Sequence, residues 1–140
     1  MRTVDYQFSF FYLPIAAGGL QPALPVDLIR GPMSTTVIGM LDSGSTFTIF
    51  NPQHAQLLGI EDVTDGEASH VTTQLGRVDF YRFDLEMRLK FGTYDRRFPC
   101  RIGFFDVRRP RNILGRDFIF QHYEVGFRDR AQEFHLSEEL

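Results

Sequence analysis

Cysteine is almost absent from this chain of 140 residues, and the sequence shows no segment typical of exported or membrane proteins. Cys100 is the only cysteine, so no disulfide can form within the chain, and the composition fits a reducing compartment. We expect Cys100 to be a small apolar side chain buried in a strand rather than a nucleophile. Because Asp5, Gln7 and Ser9 interrupt the first apolar run, we predict neither a signal peptide nor a membrane partner, and a cytoplasmic location by default.

The signatures of metal and nucleotide chemistry are missing as well. The four histidines, at positions 54, 70, 122 and 135, have neither the spacing of metal ligands nor a cysteine pair beside them. The chain contains no Gly-Lys-Ser/Thr phosphate loop and no Gly-x-Gly-x-x-Gly sequence. The net charge of −3 does not suggest a nucleic-acid partner. These absences predict a protein without metal or cofactor.

Basic charge is concentrated in one short run, Arg108, Arg109, Pro110 and Arg111. No glycine-rich turn or interleaved aromatic residue accompanies the run, which favours a solvated loop. A site for a phosphate or an acidic peptide is the alternative interpretation of the same residues.

Apolar residues are plentiful and alternate with polar ones, as in half-buried strands. They make up 43% of the chain, with fifteen phenylalanines, which is typical of a globular protein, and the length fits one domain over residues 1–140. The clearest alternation runs through residues 81–91. The pattern predicts strands at 6–12, 26–29, 35–41, 70–75, 81–91, 98–104, 113–115, 123–128 and 133–136, and short helices at 52–58 and 116–122.

One acidic residue, Asp42, follows directly after the strand predicted at 35–41. That strand looks apolar on both faces, so it would carry the carboxylate towards a core, where an ionised group without partners is costly. An ordinary Asp-Ser-Gly turn between two strands is the simple interpretation, and a functional carboxylate is the other. Ser43 or Ser45 as a nucleophile would require a histidine base, and the sequence places none nearby.

Two short segments resemble the paired signature of retropepsin-like aspartic proteases. They are Met-Leu-Asp-Ser-Gly-Ser at 40–45 and Ile-Leu-Gly-Arg-Asp-Phe at 113–118, and the resemblance covers roughly residues 26–136 in order and spacing. It implies a mostly β fold, a closed β-barrel of the single-lobed acid-protease type with two short helices and a β-hairpin flap. Residues 1–19 would then be an N-terminal extension that adds a strand, contributes to a dimer or gates the cleft.

The resemblance also implies a reaction, the hydrolysis of peptide bonds in extended polypeptides. That chemistry needs two carboxylates, one ionised and one protonated. Because the chain has one Asp-Ser-Gly sequence, the second Asp42 must come from a second copy, which predicts an active homodimer. The alternative is a retropepsin-fold dimerisation or peptide-binding module with weak or no activity.

The same resemblance assigns roles to individual residues. Asp42 is the catalytic residue, and the residues that support it are Ser43, Gly44, Ser45, Ile113, Leu114 and Gly115. The flap lies between residues 67 and 82, and the substrate-binding candidates there and in the pocket are Phe47, Val71, Thr72, Thr73, Leu75 and Gly76, with Ile49 either in the pocket or in the core. We expect Ser45 to donate a hydrogen bond to Asp42 and activity to peak in acid, and Arg116 to pair with Asp117 or the opposite subunit.

Overall fold

A computed structural model describes residues 5–15 and 18–139 of the chain. Within these residues the strands are β1 Phe8–Phe11, β2 Leu13–Pro14, β3 Leu20–Gln21, β4 Ala23–Arg30, β5 Met33–Leu41, β6 Ile49–Phe50, β7 Glu67–Thr73, β8 Gly76–Phe91, β9 Tyr94–Phe105, β10 Ile113–Leu114, β11 Tyr123–Arg128 and β12 Glu133–Glu138. The helices are α1 Pro52–Leu57 and α2 Ile119–His122, with 3-10 turns at Val63–Asp65 and Asp129–Ala131. No helix in this part of the chain is both long and apolar enough to cross a membrane. The predicted strands and both helices are present, with shifted ends.

Six strands close into a ring. The order of hydrogen-bonded neighbours is β4-β5-β10-β6-β9-β8, and β8 pairs back onto β4 through Asp27↔Arg88 to Ile29↔Glu86. β7 extends the sheet outward from β8 as a hairpin. The closed, mostly β architecture predicted for the chain is therefore confirmed.

A separate three-stranded sheet is formed by the two ends of the chain. Its order is β1-β12-β11, with Phe8 opposite Leu136 and Val125 opposite the same leucine. The N-terminal segment thus adds a strand, one of the roles expected for residues 1–19, although residues 1–4 and 16–17 lie outside the described part. The predicted strand at 6–12 is shorter as observed, because pairing with β12 covers only Phe8–Phe11.

Strand β8 begins five residues earlier than its alternation pattern predicts. Residues 76–82 pair with β7, and the remainder pairs with β9 along its whole length, so the chain stays extended over sixteen residues. The two faces of β8 are buried along different parts of the strand. Leu85, Met87 and Leu89 pack in the main core, whereas Phe80 joins Ile49 in a second small cluster beneath the hairpin.

Two predictions about buried strands need correction. Ile38 was expected in a strand buried on both faces, but its side chain is 47% exposed, and β5 is buried on both faces only from Gly39 to Leu41. Gly39 is needed there, since a Cβ would lie 2.7 Å from Cγ of Leu114 on the crossing strand β10. The strand predicted at 26–29 begins earlier, at Ala23, and Pro25 lies inside it at a point beyond the pairing with β8.

Candidate active site

Asp42 is held in place by the strand that crosses behind it. β10 runs parallel to β5, with Leu114 opposite Leu41, and antiparallel to β6. The Asp42 amide donates to the Leu114 carbonyl over 3.0 Å, and the Met40 amide donates to the Asn112 carbonyl over 2.8 Å. The second predicted motif therefore threads behind the first, which fixes the backbone on which the carboxylate is carried.

The Asp-Ser-Gly turn organises its own hydrogen bonds. The Gly44 amide donates to Oδ1 of Asp42 over 2.9 Å, and the Ser45 amide donates to the Asp42 carbonyl over 3.1 Å. The Ser45 hydroxyl donates to the Phe47 carbonyl at 2.8 Å and not to the Asp42 carboxylate, so that prediction was wrong. The backbone carbonyl two residues on is the acceptor that the hydroxyl reaches, a common choice for serine in turns. Asp42 is half-buried, and Ser43 and Gly44 are exposed.

Gly115 lies where the two motifs touch. A Cβ at this position would lie 2.3 Å from the Phe47 carbonyl oxygen and 2.9 Å from the Ser45 carbonyl oxygen. Both obstacles are backbone atoms that cannot rotate away. Only glycine fits, and the close approach lets the amides of Arg116 and Asp117 reach the carbonyls of Ser45 and Thr46. α2 begins at Ile119, three residues later than predicted, because Phe118 has non-helical backbone angles, φ −130 and ψ −78.

A buried threonine that the sequence analysis missed joins the same segments. Thr48 is 1% exposed, accepts a hydrogen bond from the Gly115 amide at 3.0 Å and donates one to Asp117 Oδ1 at 2.7 Å. Burial raises the pKa of Asp117, and the hydrogen bond from Thr48 opposes that rise in part. Within the chain, Arg116 donates to Oγ1 of Thr46 over 3.1 Å and not to Asp117, one of its two predicted partners, so the opposite subunit stays a prediction.

A cavity of about 980 Å³ opens beside the Asp42 turn. Its floor is formed by the turn and by β6 and β10, its cover by the β7–β8 hairpin, and its end wall by the loop between β9 and β10. The lining residues that the structure describes are Asp42, Gly44, Ser45, Thr46, Ile49, Val71, Thr72, Thr73, Val78, Phe105, Arg109, Pro110, Arg111 and Ile113. A cleft of this size with apolar walls and a carboxylate at its floor suits an extended peptide chain.

The hairpin lies where it was predicted. Pairing runs from Glu67↔Arg82 to Thr73↔Gly76, and Gly76, at φ 116, completes the turn. The Thr73 hydroxyl donates a hydrogen bond to the Gly76 carbonyl at 3.0 Å and accepts one from the Leu75 amide at 3.2 Å. These side-chain bonds close a turn that contains a single glycine.

Three substrate-binding candidates lie outside the described cavity lining. Leu75 is fully exposed at the hairpin tip, beyond the reach of the floor, and Gly76 follows it on the same turn. The Phe47 ring packs on Phe80 at 5.1 Å between centroids, and the Arg82 guanidinium carbon lies 5.1 Å from the centre of the Phe47 ring. In the single chain these three residues do not line the cavity, and their part in substrate binding stays a prediction.

Other candidate chemistries find no support in the described part of the chain. Residues 5–15 and 18–139 contain no group of three or more His, Cys, Asp or Glu side chains able to hold a metal ion. Burial raises the pKa of the Cys100 thiol to about 12, which leaves no thiolate for nucleophilic attack at neutral pH. Within the same residues no histidine bonds to Ser43 or Ser45, so a serine nucleophile lacks its base.

Known proteins resemble this chain in structure but not detectably in sequence. No protein-family model and no curated protein matches the chain. Among the solved structures that are similar to it are two proteases. The EIAV protease, solved with an inhibitor, has a TM-score of 0.54 at 20% identity over 72% of this chain and 86% of its own. A retropepsin-like aspartic protease from Rickettsia conorii has a TM-score of 0.60 at 12% identity over 91% of this chain and 97% of its own. The chain therefore has the fold of the retropepsin-like aspartic proteases.

Proposed function

We propose that the protein is an aspartic endopeptidase that hydrolyses peptide bonds in extended polypeptides. One observation carries the proposal: the Asp42 carboxylate lies at the floor of a long apolar cavity, on a turn fixed from behind by β10. A carboxylate held in this way is oriented without help from the substrate, as catalysis by positioned groups requires. The similarity to two proteases of the same fold supports the same reaction.

The active unit is a homodimer, because one chain supplies half of the required chemistry. The sequence has a single Asp-Ser-Gly turn, and peptide hydrolysis by carboxylates uses two groups in opposite protonation states. The turn presents exposed Ser43 and Gly44 on its outer side. A two-fold axis beside this turn would bring two Asp42 side chains together, with the two serines on either side of the axis.

The two carboxylates divide the work of one hydrolysis. The ionised Asp42 takes a proton from a water molecule as the water oxygen bonds to the carbonyl carbon. The protonated Asp42 of the second copy donates its proton to the carbonyl oxygen. When the carbon–nitrogen bond breaks, the leaving nitrogen takes a proton from the carboxyl group that was formed in the first step. The carboxylate of the second copy takes back the proton from the former carbonyl oxygen, which leaves the carboxylic acid product and restores the pair with one shared proton. Two carboxylates about 3 Å apart share one proton, so they titrate as one coupled pair and not as two independent residues.

The substrate lies between the hairpin and the floor. Val71, Thr72 and Thr73 line the cover, and Ile49 and Ile113 line the floor. An extended peptide between a hairpin and a strand can make main-chain hydrogen bonds to both, while alternate side chains enter the apolar spaces. This arrangement favours unfolded or extended segments over folded domains as substrates.

The experiment is a cleavage assay with an unfolded protein substrate from about pH 3 to about pH 8, with and without a peptidomimetic inhibitor of aspartic proteases. We expect cleavage that is greatest in acid and is abolished both by the inhibitor and by Asp42→Asn. Asp65→Asn, a substitution at an exposed acid remote from the turn, is the matched control and should leave cleavage unchanged.

Two results would point elsewhere. Cleavage that survives in Asp42→Asn would contradict the role of this carboxylate. Absence of cleavage at every pH, in a protein that still binds the inhibitor, would favour the peptide-binding module.

A further inference from the structure

The basic run that reads as a solvated loop in the sequence borders the cavity in the structure. It lies in the loop between β9 and β10, and Arg109, Pro110 and Arg111 line the cavity wall. The Arg109 side chain is half-buried, and Arg111 is exposed. Two positive charges thus stand at one end of a space whose floor holds the Asp42 carboxylate.

Hydrogen bonds hold this loop in one position. The Arg109 amide donates to Oδ1 of Asn51, a 4% exposed residue, over 2.6 Å. The Asn51 amide in turn donates to Oδ1 of Asn112 over 2.8 Å, and the Asn112 side chain reaches the Ile38 carbonyl at 3.3 Å. The loop is therefore anchored at both ends to α1 and β5, which keeps the two arginines at the cavity wall.

Neither arginine has an acidic partner within residues 5–15 and 18–139. The ion pairs of that part of the chain involve other basic residues, and Nε of Arg109 is buried with no hydrogen-bond acceptor. The Arg109 guanidinium carbon lies 6.0 Å from the Phe105 ring centre, so one face of the group rests against an aromatic ring. Nε itself is closed off from the cavity, so the terminal N–H groups of this cavity-lining guanidinium are the ones left for an anionic acceptor.

The rest of the described cavity wall offers these arginines no free anionic acceptor, so the acceptor would have to come from a ligand. Ile49, Val71, Val78, Phe105 and Ile113 make the walls apolar. Among the described lining residues Asp42 is the only acid, and its Oδ1 already accepts from Gly44. An incoming carboxylate is the group that would complete the hydrogen bonding of Arg109 and Arg111.

We propose that Arg109 and Arg111 form a subsite that selects a glutamate or aspartate side chain in the peptide bound in the cavity. The inference rests on the proposed function in one respect, that the ligand is a polypeptide, and it names a class of peptide: apolar at the centre, with an acidic residue to one side. Arg109 and Arg111 are specificity-determining residues in this account and take no part in bond cleavage.

The test is a binding measurement that does not need catalysis. The protein carries Asp42→Asn, and the probe is a reduced-amide peptide of apolar residues with one glutamate, moved stepwise along the peptide, against the same peptides with glutamine. At one position we expect glutamate to bind about tenfold more tightly, which corresponds to about 1.4 kcal/mol. Arg109→Gln or Arg111→Gln should reduce that preference towards one, and Arg109→Lys should retain part of it.

Arg108→Gln is the matched control, because Arg108 is an exposed neighbour in the same loop that is not part of the described lining. It should keep the preference for glutamate. The preference should also vanish below about pH 4 in the protein with both arginines, since the glutamate side chain is then neutral while arginine keeps its charge. This loss with acid separates charge recognition from a simple fit of shape.

Each outcome decides the inference separately from the proposed function. Equal affinity for glutamate and glutamine at every position, or no binding of either peptide, would overturn it even if the wild-type protein cleaves unfolded substrates. A dimer dissociation constant that rises in Arg109→Gln with no change in peptide preference would also overturn it, by assigning the arginine to a contact between subunits. If the protein prefers glutamate in the binding assay but cleaves no substrate, the acidic subsite is supported and only the proposed peptidase activity is refuted.

Discussion

The floor and the cover of the cavity are built in different ways. In the floor, residues 42–50 and 113–117, backbone amides, a buried threonine and a glycine without room for a Cβ lock two segments together. In the cover, residues 67–82, the strands bond mainly to each other, and the tip residue Leu75 is fully exposed. Regions with few buried contacts open at a lower free energy than packed ones. The carboxylate is therefore fixed, whereas we expect the hairpin above it to open at a lower free energy.

The largest effect is expected from Gly115→Ala. Its methyl group would lie 2.3 Å from the Phe47 carbonyl oxygen, and only a backbone shift could relieve the contact. Overpacking of this kind costs about 3 kcal/mol or more when backbone must move. Thermal or urea unfolding should show a large loss of stability or no cooperative transition. Leu75→Ala, at the exposed tip of the cover, is the control and should unfold like the wild type. Wild-type stability of Gly115→Ala would contradict the locked floor.

A smaller but clear difference is expected between two threonines. Thr48→Val removes a hydroxyl that bonds to the buried Gly115 amide and to Asp117, which should cost about 1 to 3 kcal/mol of unfolding free energy. Thr73→Val removes turn bonds on the exposed cover and should cost only a few tenths of 1 kcal/mol, since water replaces them. Urea unfolding of both variants measures the contrast. Equal losses would show that the floor and the cover do not differ in the way described.

The smallest effect concerns pH and the floor residue Asp117. Burial holds the pKa of its carboxyl group above the ordinary 3.8, so the folded protein favours the neutral acid. Its contribution to stability is fully present below the ordinary pKa and is lost as pH rises through the folded one. Asp117→Asn keeps an acceptor for Thr48 and is neutral throughout. It should raise stability at about pH 7 by less than about 1 kcal/mol, and change it little at about pH 3. Thermal unfolding at the two pH values measures this, and destabilisation at neutral pH would contradict the assignment.

Much of the fold could be predicted from the alternation of polar and apolar residues, because each half-buried strand has one solvent-exposed face and one buried face. The long strand β8 and its return β9 were predictable for that reason, whereas the hairpin over 67–82 was predicted from the resemblance. The crossing of β10 behind Asp42 was predictable only through a resemblance that joins two distant motifs. The ends of strands and helices were harder to predict. α2 begins only after Phe118, whose backbone angles are not helical, and no local sequence pattern marks that residue.

The site was predictable where it depends on the motifs and was missed where it depends on proximity in three dimensions. Asp42 and the glycine of the second motif belong to short signatures. Thr48 lies in a run of polar and apolar residues with nothing to mark it as buried. Arg109 looks like any loop arginine until Asn51, more than fifty residues away, fixes its backbone at the cavity wall. The direction of the Ser45 hydroxyl likewise depends on which acceptor the folded turn brings nearest.

Asp42 is proposed to be half of one active site, and an experiment that mixes subunits tests this proposal. Wild-type and Asp42→Asn chains are combined in equal amounts, allowed to exchange, and assayed for cleavage at a constant total concentration. If both carboxylates of a dimer are required, random pairing leaves about one quarter of the activity of an all-wild-type sample. If each chain acts alone, about one half remains, and that result would contradict the account.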